Sequence, residues 1–566
     1  MVLSISKEEM ERYVIAKRTV DTLTAKENMV AANHPLAALA GQKTLKKGGN
    51  AVDAAVATHF ALAVVEPFMT GIGGGGRCCI RMANGESFAM NFEPMTPAKE
   101  NPFEPDPDRE ASMYKVKLGR PAVKDRADII GYKAAAIPGF VKGMSYLVER
   151  FGVLDLGEIL EPAIQYADEG YIIDTYISKY IAFNMHIIDK FPETAKILLK
   201  DGYPPNPWGE ARWETGYDKL VQKDLAKTLR KIAKDGPDAF YTGDIASSIA
   251  EDMEKNGGYI NEADLAAYKP QLLTPSQGSY RGYDMISLPV STTIMQILHI
   301  LDNFDMKALG YNTVDAIHVL TEAIKLAFTG RETFLGFSAK DPPFKGIISK
   351  DYAKMLAEQI EMGKALMNPN IGDPRLYQEG ETTHACAVDK DRNIAGIHSS
   401  LGDAFGCKVT IKGTGIILND KMKGYDPRPG YPDSVKPRII KPPPSGSTIL
   451  LKNDKPFMVI GSPGGYKQVC AVSRSIHSYI DYDMPIREAI DAPRVFVQTG
   501  TVFIDSRMPS KVCEALVKKG HDVKVVDREF GFARPNAIVI DPRTGLLHGG
   551  IDGKPPQAAD QVTLGY

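Results

Sequence analysis

The chain has no long hydrophobic run. Of its 566 residues 43% are hydrophobic, but no segment reaches the roughly 18 uninterrupted apolar residues of a membrane-spanning helix. Residues 1–12, MVLSISKEEMER, are charged and lack the apolar core of a secretory signal peptide. The sequence therefore predicts a cytoplasmic protein with no membrane partner.

The chain also has little net charge. Its 68 lysines and arginines nearly balance 70 aspartates and glutamates, which leaves a formal charge of −2 at pH 7. Domains that bind nucleic acid usually carry a clear basic surplus. We therefore expect no nucleic-acid partner.

Cysteine is scarce as well, and metal-ligand spacing is missing. The six cysteines form no Cys-x-x-Cys pair and lie in apolar, strand-like contexts, so we expect buried free thiols rather than disulfides or structural zinc. His318 and Glu322 stand one helical turn apart, but two such residues without a third ligand are more often a surface or capping pair. We predict neither a metal nor a cofactor.

Helical and strand patterns follow one another along the chain without repeats or long linkers. Two helices are predicted across 35–65, with Asn50 capping the second, and a hairpin from Arg77 to Phe92 turns at Asn84-Gly85. Helical periodicity dominates 135–335, with helices near 138–151, 157–169, 220–234, 244–256 and 313–331. Later strands are predicted at 384–389, 393–399, 447–452, 457–461, 502–505 and 537–541, with a helix at 509–519.

The run ETTHACAVD at 381–389 places two threonines at the start of an apolar strand, after a polar lead-in at 365–381 rich in helix breakers. If the bond before Thr382 were cut, that residue would carry a free α-amine of pKa about 8 beside its own hydroxyl. Such a residue is a nucleophile with its own base. The alternative is that two threonines merely favour a strand edge.

Glycine-rich segments accompany this threonine. The run VIGSPGG at 459–465 predicts a strand entering a tight turn whose N–H groups could form an oxyanion hole. Two earlier blocks, GGNAVDAAVA at 48–57 and VEPFMTGIGGGG at 65–76, are equally distinctive. Gly71, Gly73 and Gly76 match Gly-x-Gly-x-x-Gly, but they precede a strand, which disfavours dinucleotide binding.

Taken together, these segments resemble the γ-glutamyltranspeptidase family, from about residue 33 to the end of the chain. The resemblance implies the N-terminal-nucleophile hydrolase fold, an αββα sandwich of the α+β class with two stacked antiparallel sheets flanked by helices. It also implies a precursor cut into residues 1–381 and 382–566, which stay associated as one intertwined unit and allow a homodimer of such pairs. No cofactor is implied.

Residue by residue, the resemblance makes Thr382 the self-cleaving residue and the mature nucleophile. Ser400 corresponds to a hydroxyl on the next strand that supports the nucleophile, and Gly464 and Gly465 would supply the oxyanion-hole amides. A Thr-His triad through His384 is disfavoured, since a residue two positions along the strand shares a face with Thr382 without needing to touch it.

The substrate residues depart from the family pattern. Glu93 stands where the family has the arginine that reads the substrate carboxylate, and Pro444 replaces the first of two paired serines, leaving Ser445. Lys423 or Gly424 stands where the family has the acid that holds the substrate amine, and Gly402 replaces an asparagine. We take Glu93, Lys423, Ser445 and Ser462 as candidate substrate-binding residues, although the two charges fit solvated surface positions equally well.

Three functions remain open from sequence. The leading hypothesis is an autoprocessed amidohydrolase or acyltransferase that acts on a small-molecule amide with an unusual acyl group, so glutathione is a doubtful substrate. The second is γ-glutamyl transfer or glutathione hydrolysis with a rebuilt carboxylate site. The third is an uncleaved, non-catalytic family member that binds a metabolite.

Overall fold

The computed structural model describes residues 23–100, 103–107, 120–207, 218–334, 344–367, 381–431, 434–442, 445–498, 500–527, 532–552 and 562–565. Within them the chain builds two stacked seven-stranded antiparallel sheets with helices on both outer faces. The predicted αββα sandwich is therefore confirmed.

The front sheet carries the predicted nucleophile. Its strands are β2 (Met29–Ala32), β3 (Gly75–Arg81), β4 (Ser87–Phe92), β9 (Gln271–Leu273), β12 (Glu381–Val388), β13 (Ile394–Gly402) and β21 (Val562–Gly565). They are ordered β21-β2-β12-β13-β3-β4-β9, so β12 and β13 lie in the centre of the sheet.

The back sheet pairs strands from both ends of the chain. Its strands are β1 (Leu23–Ala25), β10 (Ser276–Tyr280), β11 (Tyr283–Ser287), β14 (Thr448–Lys452), β15 (Lys455–Gly461), β19 (Asn536–Ile540) and β20 (Leu547–Ile551), in the order β1-β20-β19-β15-β14-β11-β10. Smaller sheets join β5 (Pro105–Asp106) to β6 (Ala122–Val123), β7 (Tyr171–Ile172) to β8 (Lys219–Leu220), and β16 (Val495–Gln498) to β17 (Thr501–Asp505) and β18 (Asp522–Val526).

The helices cover the two outer faces. Those before β9 are α1 (Pro35–Lys46), α2 (Ala51–Val65), α3 (Phe140–Phe151), α4 (Leu156–Glu169), α5 (Thr175–Ile188), α6 (Pro192–Leu198), α7 (Lys223–Asp235), α8 (Asp238–Tyr241), α9 (Asp244–Lys255) and α10 (Glu262–Ala266). The later ones are α11 (Thr292–Leu301), α12 (Met306–Leu309), α13 (Val314–Phe334), α14 (Phe344–Ile347), α15 (Lys350–Ala357), α16 (Lys467–Asp481), α17 (Ile486–Asp491) and α18 (Ser510–Lys518). None of these described helices combines the length and apolar character needed to cross a bilayer.

Three buried layers hold the sandwich together. One lies between the front sheet and helices such as α2 and α3, and a second lies between the back sheet and helices such as α11, α13 and α16. The third lies between the sheets and is built mainly from isoleucine, leucine, alanine, valine and cysteine side chains. All six cysteines are buried free thiols, as predicted.

Local signals predicted several elements correctly. Asn50 caps α2 by accepting from the amides of Val52 and Asp53, and the Asp53 carboxylate accepts from the Asn50 amide in return. The predicted hairpin forms between β3 and β4, and Gly85 adopts a φ of +92° at its turn. The five helices predicted in 135–335 are all present, with ends shifted by a few residues.

The prediction that helices dominate 135–335 misses β9, β10 and β11. These strands lie at the outer side of each sheet, β9 and β10 as edge strands, and several of their side chains are partly exposed. Polar edge strands lack the strict apolar alternation that a sequence pattern needs.

Candidate active site

Thr382 is the second residue of the central strand β12. This strand is paired on one side with β2 and on the other with β13. Glu381 is opposite Gly402 and Thr383 is opposite Ser399, so one extra residue of β13 is accommodated at this point. Bulges of this kind re-aim side chains beside functional sites. The Thr382 side chain itself, like residues 368–380 and Pro444, lies outside the described part.

Ser400 lies on the strand next to Thr382. It is fully buried, sits opposite Gly75 of β3, and its Oγ accepts a hydrogen bond of 2.9 Å from the amide of Gly402. Ser400 therefore lies on the strand beside the bulged end of β12.

The turn at Gly464 and Gly465 joins β15 to helix α16. Their φ values are +116° and +55°, and a side chain on Gly464 would come within 2.8 Å of the Ala533 Cβ. Among the described residues, neither glycine amide has a hydrogen-bond acceptor. Because the amino end of the 15-residue helix α16 follows, the turn also carries positive electrostatic potential. These features suit an anionic oxygen.

Histidines bring this turn next to β12. The Ser462 carbonyl accepts from Nε2 of His398 at 3.2 Å, and a side chain on Gly461 would touch the ring of His384. His384 and His398 are directly opposite each other in the β12–β13 ladder, two residues from Thr382 and Ser400. The turn therefore faces the same end of the central strands as Thr382.

His384 belongs to a neutral hydrogen-bonded cluster. Its Nδ1 contacts Oδ1 of Asn536 at 2.8 Å, and its Nε2 contacts Oγ of Ser447 at 3.1 Å. Burial lowers its pKa to about 3, and the pKa of His398 is lowered as well, mainly for the same reason. Because both ring nitrogens are engaged in these contacts, His384 is not poised as a base. This arrangement disfavours a Thr-His triad.

Thr383 points to the helical side of the front sheet. Its hydroxyl accepts from Nδ2 of Asn33 and donates to Oε2 of Glu66, both at 2.7 Å. Burial raises the pKa of Glu66, and Arg534 and Thr383 oppose this to a smaller extent. Asn33 and Glu66 therefore hold the start of β12 from the helical side of the front sheet. Sequence reasoning did not single out Glu66, although it lies in the distinctive block at 65–76.

Glu93 is a buried ion-pair partner, so its interpretation as a solvated surface charge is wrong. Its carboxylate accepts from Nη1 of Arg77 at 2.8 Å and pairs with Nζ of Lys421 at 3.0 Å. Burial on its own raises the pKa of Glu93, but the two cations outweigh it and the pKa lies below its ordinary value. Arg77 and Lys421 therefore place two cations beside Glu93.

Arg77 also reaches the paired-serine segment. Its Nε donates to the carbonyl of Ser445, while its Nη2 and the Ser445 hydroxyl have no hydrogen-bond partner in the described structure. Both residues are almost completely buried. The hydroxyl of Ser462, by contrast, donates to the neighbouring Pro463 carbonyl at 2.8 Å. Arg77 and Ser445 thus present unused polar atoms together, and Ser462 does not.

Lys423 is likewise not a solvated charge. Its ammonium lies between the carboxylates of Asp403 and Asp420, and the contact with Asp420 is 3.3 Å. These acids raise the pKa of Lys423 against the effect of burial. Burial raises the pKa of Asp420 to about 6 despite this partner. Two acids, Asp403 and Asp420, therefore lie beside the lysine at this position.

The same cluster explains why a glycine stands at position 402. Its φ is +113°, and a Cβ there would lie 1.7 Å from Oδ1 of Asp420. A side chain at this position is excluded by the buried acid. Sequence reasoning missed Arg77, Lys421, Asp403 and Asp420 as members of the site. The available signal was a charged residue inside the apolar strand β3, since such a charge requires a buried partner.

Comparisons with known proteins show which family the chain belongs to. A family model described as Gamma-glutamyltranspeptidase matches residues 37–562. The chain is 33% identical to Glutathione hydrolase proenzyme of Escherichia coli (strain K12), with 98% of this chain and 94% of that protein covered. It is 35% identical to Acylase ACY 1 proenzyme of Pseudomonas sp. (strain SE83), with 93% of each covered.

A solved structure extends the similarity to the fold. Cephalosporin acylase from Bacillus halodurans superposes with a TM-score of 0.82 at 28% identity, and 98% of each chain is covered. The family model and the curated relatives each span nearly the whole chain. The chain belongs to the gamma-glutamyltranspeptidase family.

Proposed function

We propose that the protein is an autoprocessed amidohydrolase or acyltransferase with Thr382 as its N-terminal nucleophile. The observation that carries this proposal is the meeting of three features: the bulged start of β12, Ser400 on the next strand, and the Gly464–Gly465 turn above them. The names of the curated relatives, which include the word proenzyme, support a precursor that is cut.

Self-cleavage would begin with attack of the Thr382 hydroxyl on the carbonyl carbon of Glu381. The peptide C–N bond breaks as the acyl group moves to the oxygen, and the nitrogen becomes the free α-amine of Thr382. Water then hydrolyses the ester and releases residues 1–381 from residues 382–566. The gain is a nucleophile whose own amine, with a pKa of about 8, serves as general base.

Turnover would repeat this chemistry on an external amide. The α-amine takes the hydroxyl proton as the oxygen attacks the substrate carbonyl, and it returns a proton to the departing amine. The amides of Gly464 and Gly465 stabilise the oxyanion, a contribution of about 2.7–4 kcal/mol for one such donor. Water or an acceptor amine then removes the acyl group from Thr382.

The charges around the pocket indicate the class of acyl group. Arg77 and Lys421 carry two positive charges against the single negative charge of Glu93. In addition, Nη2 of Arg77, near Ser445, has no hydrogen-bond acceptor in the described structure. This surplus supports recognition of a terminal carboxylate. Lys423 already occupies the position between two acids that a substrate ammonium would take. The favoured substrate is therefore an amide of a dicarboxylic acid that lacks an α-amine.

A second candidate is γ-glutamyl transfer, whose acyl group carries both a carboxylate and an α-amine. The observation in its favour is that the Asp403 side chain is 43% exposed and that both acids form their salt bridges with the same lysine. A substrate ammonium would then balance the remaining negative charge.

A matched pair of substrates separates the two candidates. Glutaryl and γ-glutamyl p-nitroanilides differ only in the α-amine. We expect the mature enzyme to have the higher kcat/KM for the glutaryl compound, and Thr382→Ala to act on neither. Preference for the γ-glutamyl compound would favour the second candidate, and equal turnover by Thr382→Ala would remove both.

A further inference from the structure

A buried cluster far from the nucleophile joins both halves of the chain. His318 and Glu322 lie one turn apart on α13, and His521 lies between α18 and β18. All three side chains are buried, and one ligand atom of each lies within 4.8 Å of the others. His318 and Glu322 precede the proposed cleavage site, whereas His521 follows it.

A hydrogen bond to the backbone shows which ring nitrogen of His318 carries no proton. Its Nε2 lies 3.0 Å from the carbonyl oxygen of Glu361, which can only accept, so Nε2 carries the proton. The bare Nδ1 then points at Nε2 of His521, 2.8 Å away. A ring held by a backbone carbonyl while its other nitrogen faces inward is the usual arrangement of a metal-ligating histidine.

The cluster also contains buried polar atoms that the protein leaves unused. Oε2 of Glu322 and Nδ1 of His521 have no hydrogen-bond partner in the described structure. The other oxygen of Glu322 accepts from Nζ of Lys325 at 2.9 Å and from the amide of Leu366 at 3.1 Å. These contacts orient the carboxylate and leave one oxygen available.

The spacing of the candidate ligand atoms allows them to share one ion. The Glu322 carboxylate lies beside the His521 ring, with Oε1, the oxygen bound by Lys325 and Leu366, 3.7 Å from Nε2 of His521. Ligand atoms in a tetrahedral zinc site are about 3.4 Å apart for bonds of about 2.1 Å, and the two histidine nitrogens, 2.8 Å apart, are closer than that value.

We propose that His318, His521 and Glu322 form a structural binding site for a divalent transition metal of the zinc class. Two imidazoles and one carboxylate favour zinc, cobalt or nickel over magnesium or calcium. Such an ion would join residues on both sides of the Glu381–Thr382 bond and would keep the two fragments together after cleavage. The same residues without an ion would form a His–His hydrogen bond beside the Lys325–Glu322 pair.

Metal analysis of the full-length protein tests this proposal independently of activity. Protein without a polyhistidine tag is stripped with a chelator, exchanged into clean buffer and titrated with Zn²⁺ or Co²⁺. We expect one equivalent of bound metal per chain by mass spectrometry, a tetrahedral Co²⁺ absorption spectrum, and a higher melting temperature with Zn²⁺.

The variants are His521→Ala and Glu322→Gln, with His186→Ala as the matched control because His186 is exposed on α5. Binding should fall from one equivalent to none in His521→Ala, weaken at least tenfold in Glu322→Gln, and stay unchanged in the control. No bound ion in the wild type, or full binding by His521→Ala, would overturn the site. If His521→Ala does not fold, the wild-type cobalt spectrum decides: a tetrahedral spectrum at one equivalent supports the site, and no bound cobalt refutes it.

Discussion

Two buried polar networks meet near Ser400, and they differ in charge. The neutral network consists of His384, His398, Ser447 and Asn536, in which burial keeps both histidines uncharged. The ionic network consists of Arg77, Glu93 and Lys421 on one side and Asp403, Asp420 and Lys423 on the other. They adjoin because Arg77 lies opposite His398 in the front sheet.

The difference separates two tasks. In the proposed mechanism, a nucleophile and an oxyanion turn need a rigid frame whose hydrogen bonds are satisfied without competing charge, and the neutral network would provide it. Substrate selection needs charges held in place before the substrate arrives, and the ionic network would provide those. Changes in the ionic network should therefore alter preference and stability, while changes beside the turn should alter the rate.

The largest effect on stability should come from breaking the ionic network at its most buried pair. Arg77→Met leaves Glu93 with Lys421 alone, and removing one partner of a buried ion pair costs about 3–5 kcal/mol. Glu93→Gln should cost a similar amount. In the double variant the two losses should not add, because neither charge is left buried without its partner. Melting temperatures of the four proteins measure this, and strictly additive shifts would contradict the pairing.

The next effect concerns the turn above the neutral network. Gly464→Ala introduces a side chain against Ala533 at a φ of +116° and displaces the oxyanion amides. We expect kcat to fall by about 10²–10³, the effect of losing one oxyanion donor. Gly48→Ala is the control, since Gly48 has a φ of +103° with nothing within 4 Å of its Cβ. An equal loss of kcat in both variants would mean that backbone strain, and not the loss of the oxyanion amides, causes the effect.

A smaller effect should sharpen the role of Lys423. In Lys423→Ala, Asp403 and Asp420 lose their lysine and become available to a substrate ammonium. The ratio of kcat/KM for γ-glutamyl over glutaryl p-nitroanilide should rise by about tenfold or more, since a hydrogen bond to a charged group contributes about 1.5–3 kcal/mol. Lys390→Ala, an exposed lysine, serves as the control. An unchanged ratio would place substrate selection elsewhere.

The last prediction concerns a pH dependence of the neutral network. The folded-state pKa of His384 is about 3, below the unfolded value near 6.5. Its stabilising contribution is therefore complete above pH 6.5 and is lost as the pH falls toward 3, by about 1.4 kcal/mol per pH unit. The melting temperature of His384→Asn should decline less steeply over this range than that of the wild type. Parallel declines would show that His384 is not kept neutral.

The structural features that could be predicted from the sequence are those formed by residues close together in the chain. Asn50 and Gly85 were found because a cap and a tight turn act within a few residues. Arg77 lies on β3 and Glu93 directly follows the antiparallel strand β4, whereas Lys421 reaches Glu93 from a segment more than 300 residues later. His521 meets Glu322 in the same long-range way. Such contacts are set by the fold and leave no local pattern in the sequence.

The central claim is that Thr382 cuts the bond before it and then serves as the nucleophile. Intact-mass spectrometry of freshly purified wild type beside Thr382→Ala and Thr382→Ser tests it most directly. We predict fragments corresponding to residues 1–381 and 382–566 in the wild type, slower cleavage in Thr382→Ser and an uncut chain in Thr382→Ala. A wild-type chain that stays intact, or a Thr382→Ala chain cut at the same bond, would contradict the account.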